Sequence, residues 1–222
     1  MRLLYHQPLS PACRYVRLAL SEKRIDFSLS TEPPVQTDLE PTPPNRRAAV
    51  PILVNDDDTK ICEATAIIEF LEATSPTPPL IPGDPVAQAE VRRLSAWFNN
   101  TFYREVSGPI IFERIDKRVF RLGEPDMGHI RAALEALSDH LEFVGFLSER
   151  RRWLAGDELS CADLAAASHI SCLDYVGDIP WHKFPRTQEW YVRIKSRPGF
   201  RSLLADQVPG IQPPRHYANL DF

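Results

Sequence analysis

The sequence predicts an α+β protein: a mixed four-stranded sheet with helices in an N-terminal domain, followed by an all-α C-terminal domain. Three observations carry this. Short β-branched runs near the N-terminus alternate with helical patterns in the order strand, helix, strand, then strand, turn, strand, helix. Beyond residue 85 the pattern is helical throughout. Most of the 21 prolines fall in three clusters, and the middle one, Ser75 to Pro85 (SPTPPLIPGDP), separates the two patterns as a stiff linker. The chain therefore divides into residues 1–75, a linker 76–85, a helical domain 86–206 and a tail 207–222.

Arg2 to His6 reads as the first strand. Gln7 to Ala12, with Pro8 and Pro11, is a turn, and Cys13 to Lys23 a helix. Val16, Leu18, Ala19 and Leu20 form its buried side, with Arg14, Arg17 and Lys23 expected outside. Ile25 to Ser30 is the second strand, parallel to the first because the intervening helix is long enough for a crossover. Glu32 to Asn45 holds five prolines in fourteen residues, which excludes a long regular helix there. Val50 to Val54 is a strand with Pro51 at its head, where proline is tolerated. Asn55 to Asp58 is a polar turn and Thr59 to Cys62 the fourth strand. Glu63-Ala64-Thr65 starts a helix whose apolar face is Ile67, Ile68, Phe70 and Leu71. A hairpin feeding directly into a helix leaves backbone N–H groups beside a sheet edge, an arrangement that suits a carboxylate.

In the second domain, Val86 to Val106 presents Val91, Leu94, Trp97, Phe98 and Phe102 on one face, and Gly108-Pro109 is expected to break or kink that helix. Ile110 to Leu122 is helical and basic, with Arg114, Lys117, Arg118 and Arg121. Asp126 to Arg150 repeats Ile130, Leu134, Leu137, Leu141 and Val144 at helical spacing. Ser160 with Asp163 three residues on is an N-terminal capping arrangement before a helix poor in polar residues, hence a central one. Lys183 to Arg197 and Phe200 to Leu204 complete the helices, and the tail ends in HYANLDF.

The net charge of -4 gives no basis for nucleic-acid binding. No apolar run reaches membrane-spanning length, and residue 1 leads straight into a strand, so a cytoplasmic chain without membrane insertion is expected. The four cysteines (Cys13, Cys62, Cys161, Cys172) stand apart in apolar contexts, as buried thiols do in a reducing compartment. No His/Cys/Asp grouping has metal-ligand spacing and no glycine-rich phosphate loop is present, so no metal is expected. His6 at a strand end and His169 within an apolar helix read as structural histidines.

Three motifs carry a resemblance: Val50-Pro51, the turn Ser10-Pro11-Ala12-Cys13, and Gly156-x-x-Leu159-Ser160-x-Ala162-Asp163. On these the chain resembles the glutathione S-transferase family, whose N-terminal domain has a thioredoxin-like fold. The resemblance implies a cis Pro51, with Val50 pairing through its backbone with the cysteinyl part of glutathione. It places a Glu-Ser pair at the γ-glutamyl end, where this chain has Glu63-Ala64, followed by Thr65. Ser10 occupies the place of the residue that stabilises the glutathione thiolate in serine-type transferases. The same serine is also a helix cap by its position, and both readings stand at this point. The turn before Val50 departs from the family pattern, with Arg46 and Ala48 in place of its proline and glycine.

Longer stretches narrow the resemblance. AEVRRLSAWFNNTFYREV, SERRRWLAGDELSCADLAAASHISCLDYVGDIPW, WYVRIKSRPGFRSLLADQVPG and the terminal HYANLDF are similar to the FtsZ-localised protein A family of alphaproteobacteria. That resemblance implies a transferase-like homodimer, located at the division site, that binds the tubulin-like protein FtsZ, bundles and curves its filaments and links them to other division proteins without conjugating glutathione. No cofactor is required in this reading, and glutathione is the one small molecule that the scaffold suggests. Candidate partner contacts are Arg114, Lys117, Arg118 and Arg121 of the basic helix and Tyr217, Asp221 and Phe222 of the tail. The alternative is an active serine-type transferase, with Ser10 at the thiolate and Val50, Pro51, Glu63, Ala64 and Thr65 around the tripeptide.

Overall fold

The computed structural model describes residues 1–31 and 49–220. The first unit runs β1 (Arg2–Tyr5), α1 (Pro11–Glu22), β2 (Phe27–Ser30), β3 (Ile52–Val54), β4 (Lys60–Cys62) and α2 (Ala64–Thr74). Its four strands lie in the order β2-β1-β3-β4. β1 pairs parallel with β2, matching Leu4 to Leu29, and antiparallel with β3, matching Leu4 to Leu53. β4 closes the sheet antiparallel to β3, with Leu53 opposite Ile61. This is the expected mixed sheet. The proline-rich stretch Glu32 to Asn45, Arg46, Arg47, Asp221 and Phe222 lie outside the described residues.

α1 departs from expectation on one point. Arg14, Arg17 and Lys23, read as its outer face, are all buried. The reason is tertiary: α1 packs against α2 and also against the central helix of the second unit, so it has no solvent side. Its cations are neutralised where they lie. Asp206 accepts from both Arg14 and Arg17, and Lys23 pairs with Glu72 and donates to the carbonyls of Ser75 and Pro78. The same Glu72 accepts from the Leu80 N–H, so the linker is stapled to the first unit rather than hanging free.

The helical unit opens with α3 (Pro85–Ala96) and continues without a break through a π-helical stretch (Trp97–Ser107), α4 (Gly108–Ile111), a second π-helical stretch (Phe112–Asp116) and α5 (Lys117–Val119). The expected break at Gly108-Pro109 does not occur. The wide π turn carries the Gly108 N–H to the carbonyl of Tyr103, five residues back, and Pro109 then falls at the start of α4, where its missing N–H costs little. A side chain at position 108 would lie 2.7 Å from the Tyr103 carbonyl oxygen, so the turn requires glycine.

α6 (Met127–Arg150), α7 (Cys161–Val176), α8 (Pro185–Lys195) and α9 (Arg201–Leu204) follow. α7 is buried from Cys161 to Tyr175 and starts on the capping box of Ser160 and Asp163. Asp163 also accepts from the Leu154 N–H at 2.9 Å and from the Trp190 indole at 3.0 Å, tying α7 to α8. One apolar core joins Leu4, Tyr15 and Ile67 of the first unit to Phe98, Leu164 and Trp190 of the second.

The tail is also packed. Tyr217, expected at the surface as a partner contact, is fully buried: its hydroxyl donates to the Leu203 carbonyl and its ring meets Tyr175 edge-on. His216 bonds Asp174 at 2.9 Å, and Tyr175 donates to the Ile211 carbonyl. Burying a tyrosine ring with its hydroxyl satisfied is worth more than leaving it in water, which accounts for the correction.

Candidate functional site

A cleft of about 910 Å3 runs between the two units. Each glutathione-site position predicted from sequence except Pro51 is in its lining: Ser10, Val50, Glu63, Ala64 and Thr65. Pro51 is buried behind Val50, and the Val50-Pro51 peptide is cis, as the resemblance implied. Three separate elements thus deliver side chains to one wall: the N-terminus of α1, the entry to β3 and the N-terminus of α2.

Ser10 is the N-cap of α1, its Oγ accepting from the Cys13 N–H at 3.4 Å. The cap reading is therefore shown; the hydroxyl proton remains able to donate into the cleft. Cys13 is a packed thiol. It is buried, its sulfur accepts from the Gln7 N–H, and burial pushes its thiol above the ordinary value.

At the other corner, Glu63 caps α2 by accepting from the Thr65 N–H at 3.4 Å. Its φ of 76° lies in the left-handed region, a costly place for a side chain and one that structures retain where a site demands it. The γ-glutamyl end of glutathione carries an ammonium and a carboxylate. Glu63 suits the first, and the N–H groups at the α2 terminus suit the second. Ala64 brings no hydroxyl, however, and one of those N–H groups already serves Glu63. The fit to glutathione is partial.

The cleft extends past residues that sequence reasoning missed. Glu69 and Arg92, on α2 and α3, form a two-point ion pair at 3.0 and 3.3 Å. Asn99 lines the floor and bonds the buried His169, whose other nitrogen meets Ser107 at 2.7 Å. Burial lowers His169 to a pKa of about 3, so it is a neutral hydrogen-bonding strut. The open end is formed by Tyr103, Ile111, Ile115, Asp116, Val119 and Phe120. Ile111, Ile115 and Val119 recur every four residues, and that stripe was visible in the sequence; what it faced was not.

The basic run divides in two. Arg114 is spent on Asp178 at 2.8 Å and Lys117 on Glu113 at 2.6 Å, whereas Arg118 and Arg121 are exposed. Among the described residues, no group of His, Cys, Asp and Glu is placed to hold a metal ion.

The family descriptions "Glutathione S-transferase, N-terminal domain" and "Glutathione S-transferase, C-terminal domain" match residues 4–79 and 112–193. FtsZ-localized protein A of Caulobacter vibrioides is 44% identical over 100% of this chain and 98% of its own length. The chain belongs to the glutathione S-transferase superfamily, and within it to the FtsZ-localized protein A family. Solved structures agree. FzlA from C. crescentus superposes with a TM-score of 0.92 at 44% identity, covering 100% of this chain and 99% of that one. A protein described as a glutathione S-transferase from Rhodospirillum rubrum F11 does so with the same TM-score at 46% identity, covering 100% of both chains. No helix among the described residues is long and apolar enough to cross a membrane.

Proposed function

We propose that this member of the family is a non-catalytic division protein of the cytoplasm that binds FtsZ filaments at the division site and bundles or curves them as a homodimer. The full-length 44% identity to FtsZ-localized protein A carries this reading. The site is consistent with it: Ala64 stands where a hydroxyl would hold a carboxylate, and Cys13 is sequestered. A two-fold dimer displays each contact patch twice, so it crosslinks filaments without any chemistry. Arg118 and Arg121, the cations of the basic run that are exposed, are assigned to the filament contact, together with Asp221 and Phe222 of the tail.

Co-sedimentation with FtsZ polymerised by GTP tests the reading. The wild-type protein is expected in the filament pellet, and the double charge reversal Arg118→Glu, Arg121→Glu is expected to leave most of it in the supernatant with an unchanged helical circular dichroism spectrum. Absence of the wild-type protein from the pellet overturns the reading.

One observation favours a second function, a serine-type transferase: Ser10, Val50, Glu63 and Thr65 line one cleft. There the Ser10 hydroxyl would donate to the thiolate of glutathione. Steady conjugation of glutathione to a small electrophile, lost in Ser10→Ala and accompanied by no pelleting with FtsZ, would establish that function in place of the first.

A further inference from the structure

The helical unit carries a second basic group, at the opposite end of α6 from Arg118 and Arg121. α6 is 24 residues long, which at a rise of about 1.5 Å per residue keeps the two groups about 36 Å apart. It ends in the run Glu149-Arg150-Arg151-Arg152, and the three arginines of that run have different fates. Arg151, whose backbone is extended, reaches Glu90 at 2.8 Å and the Leu154 carbonyl at 2.9 Å. Alternation along an extended backbone turns Arg152 the other way, into solvent, where it has no hydrogen-bond or ion-pair partner among the described residues. Arg150 lies over the Phe146 ring at 3.6 Å and donates to the Phe146 carbonyl. Its acidic neighbour Glu149 is 3.9 Å away and is held closer by Arg186, at 3.2 Å.

A fourth arginine joins them from α8. Arg193 is exposed, donates to the Arg152 carbonyl and sits 5.6 Å from the centre of the Trp153 ring. Arg197 shares that ring at 5.8 Å but is already bonded to Glu22 at 2.8 and 2.7 Å. Arg150, Arg152 and Arg193 thus form a local excess of positive charge in a chain whose net charge is -4. Like charges gathered at one place repel, and an incoming carboxylate relieves that repulsion. Two of the three side chains are held before any partner arrives, Arg150 by Phe146 and Arg193 by Trp153 and a backbone carbonyl, so little rotamer freedom is lost on binding. The negative charge of the whole molecule opposes long polyanions and anionic membranes, whereas a short acidic segment meets only the patch.

We propose that Arg150, Arg152 and Arg193 form a docking surface for an acidic peptide segment of a partner protein. This surface is separate from the filament contact assigned to Arg118 and Arg121, and it does not rest on that reading.

The test is fluorescence anisotropy of the full chain with a labelled decapeptide that alternates glutamate and glycine, beside the same peptide with glutamine in place of glutamate. The glutamate peptide is expected to bind at least about tenfold more tightly than the glutamine peptide, with the difference shrinking as salt is raised. The double reversal Arg152→Glu, Arg193→Glu should abolish that preference. Arg152→Glu alone, a change at an exposed side chain, should reduce it about threefold or more with an unchanged circular dichroism spectrum. The reversal Arg118→Glu, Arg121→Glu should leave it within about twofold. Four results would each overturn the proposal: no binding of the glutamate peptide, equal affinities for the two peptides, a preference that survives both variants at Arg152, or tighter binding of a single-stranded decanucleotide. A loss in the reversal at Arg118 and Arg121 as large as that at Arg152 and Arg193 would overturn it as well.

Discussion

Asp206 offers the sharpest test of how the two units are held together. Its carboxylate, only 9% exposed, faces two guanidinium groups that are 0% and 1% exposed. It accepts from Arg14 at 3.1 Å and from Arg17 at 2.9 and 2.8 Å. In Asp206→Ala both cations stay buried without a counter-charge. Removing one partner of a buried ion pair costs about 3–5 kcal/mol. Each arginine keeps neutral partners, Arg14 the Pro8 carbonyl and the Ser171 hydroxyl and Arg17 the Ser202 carbonyl, which places the loss near the lower end, about 3 kcal/mol. With a urea m-value of about 3 kcal/mol per M, the unfolding midpoint drops by about 1 M. The assay is urea denaturation followed by circular dichroism, with Glu69→Ala as reference. That variant opens the exposed Arg92 pair and should cost less than about 1 kcal/mol. If Asp206→Ala shifted the midpoint no more than Glu69→Ala, the account of α1 as a helix neutralised from the second unit would be wrong.

Three further outcomes follow from the site and its supports. Ala64→Ser restores a hydroxyl at the cleft wall and should raise glutathione affinity about tenfold or more, read by calorimetry; an unchanged affinity would show that the missing hydroxyl is not what limits binding. Asp163→Ala leaves the Leu154 N–H and the Trp190 indole without their buried acceptor and should cost about 3 kcal/mol or more of stability, whereas a loss below about 1 kcal/mol would contradict the role given to this cap. The third concerns pH. His169 and His6 fold with pKa values of about 3 and about 4, both lowered chiefly by burial, against 6.5 for the free side chain. The unfolded chain therefore binds the extra protons. Their contribution is complete above pH 6.5 and is lost as pH falls toward the folded values, with a slope of at most about 1.4 kcal/mol per pH unit for each histidine. His169→Gln should flatten the fall in urea midpoint between pH 7 and pH 4.5, and parallel profiles for variant and wild type would exclude the assignment.

Local pattern carried far in this chain. The strand, helix, strand order, the capping box at Ser160 and Asp163 and the burial of α7 all follow from residues close together in sequence, whereas the corner at Val50, Glu63 and Thr65 was implied by the family resemblance. Each of the first three is a matter of hydrophobic period, hydrogen-bond capping or backbone preference, which neighbours determine. Four features needed the third dimension. Arg14 and Arg17 are buried because Asp206, some 190 residues away, supplies their charge. Tyr217 is buried because Tyr175 and Leu203 make a slot for it. The helix passes Gly108-Pro109 because a π turn re-registers its hydrogen bonds. Asp116 faces a cleft because α3 and the segments after it bring Tyr103, Ile115 and Phe120 to one edge. In the first two cases a polar group was stabilised by something distant in the chain, and composition and spacing do not encode distance through space.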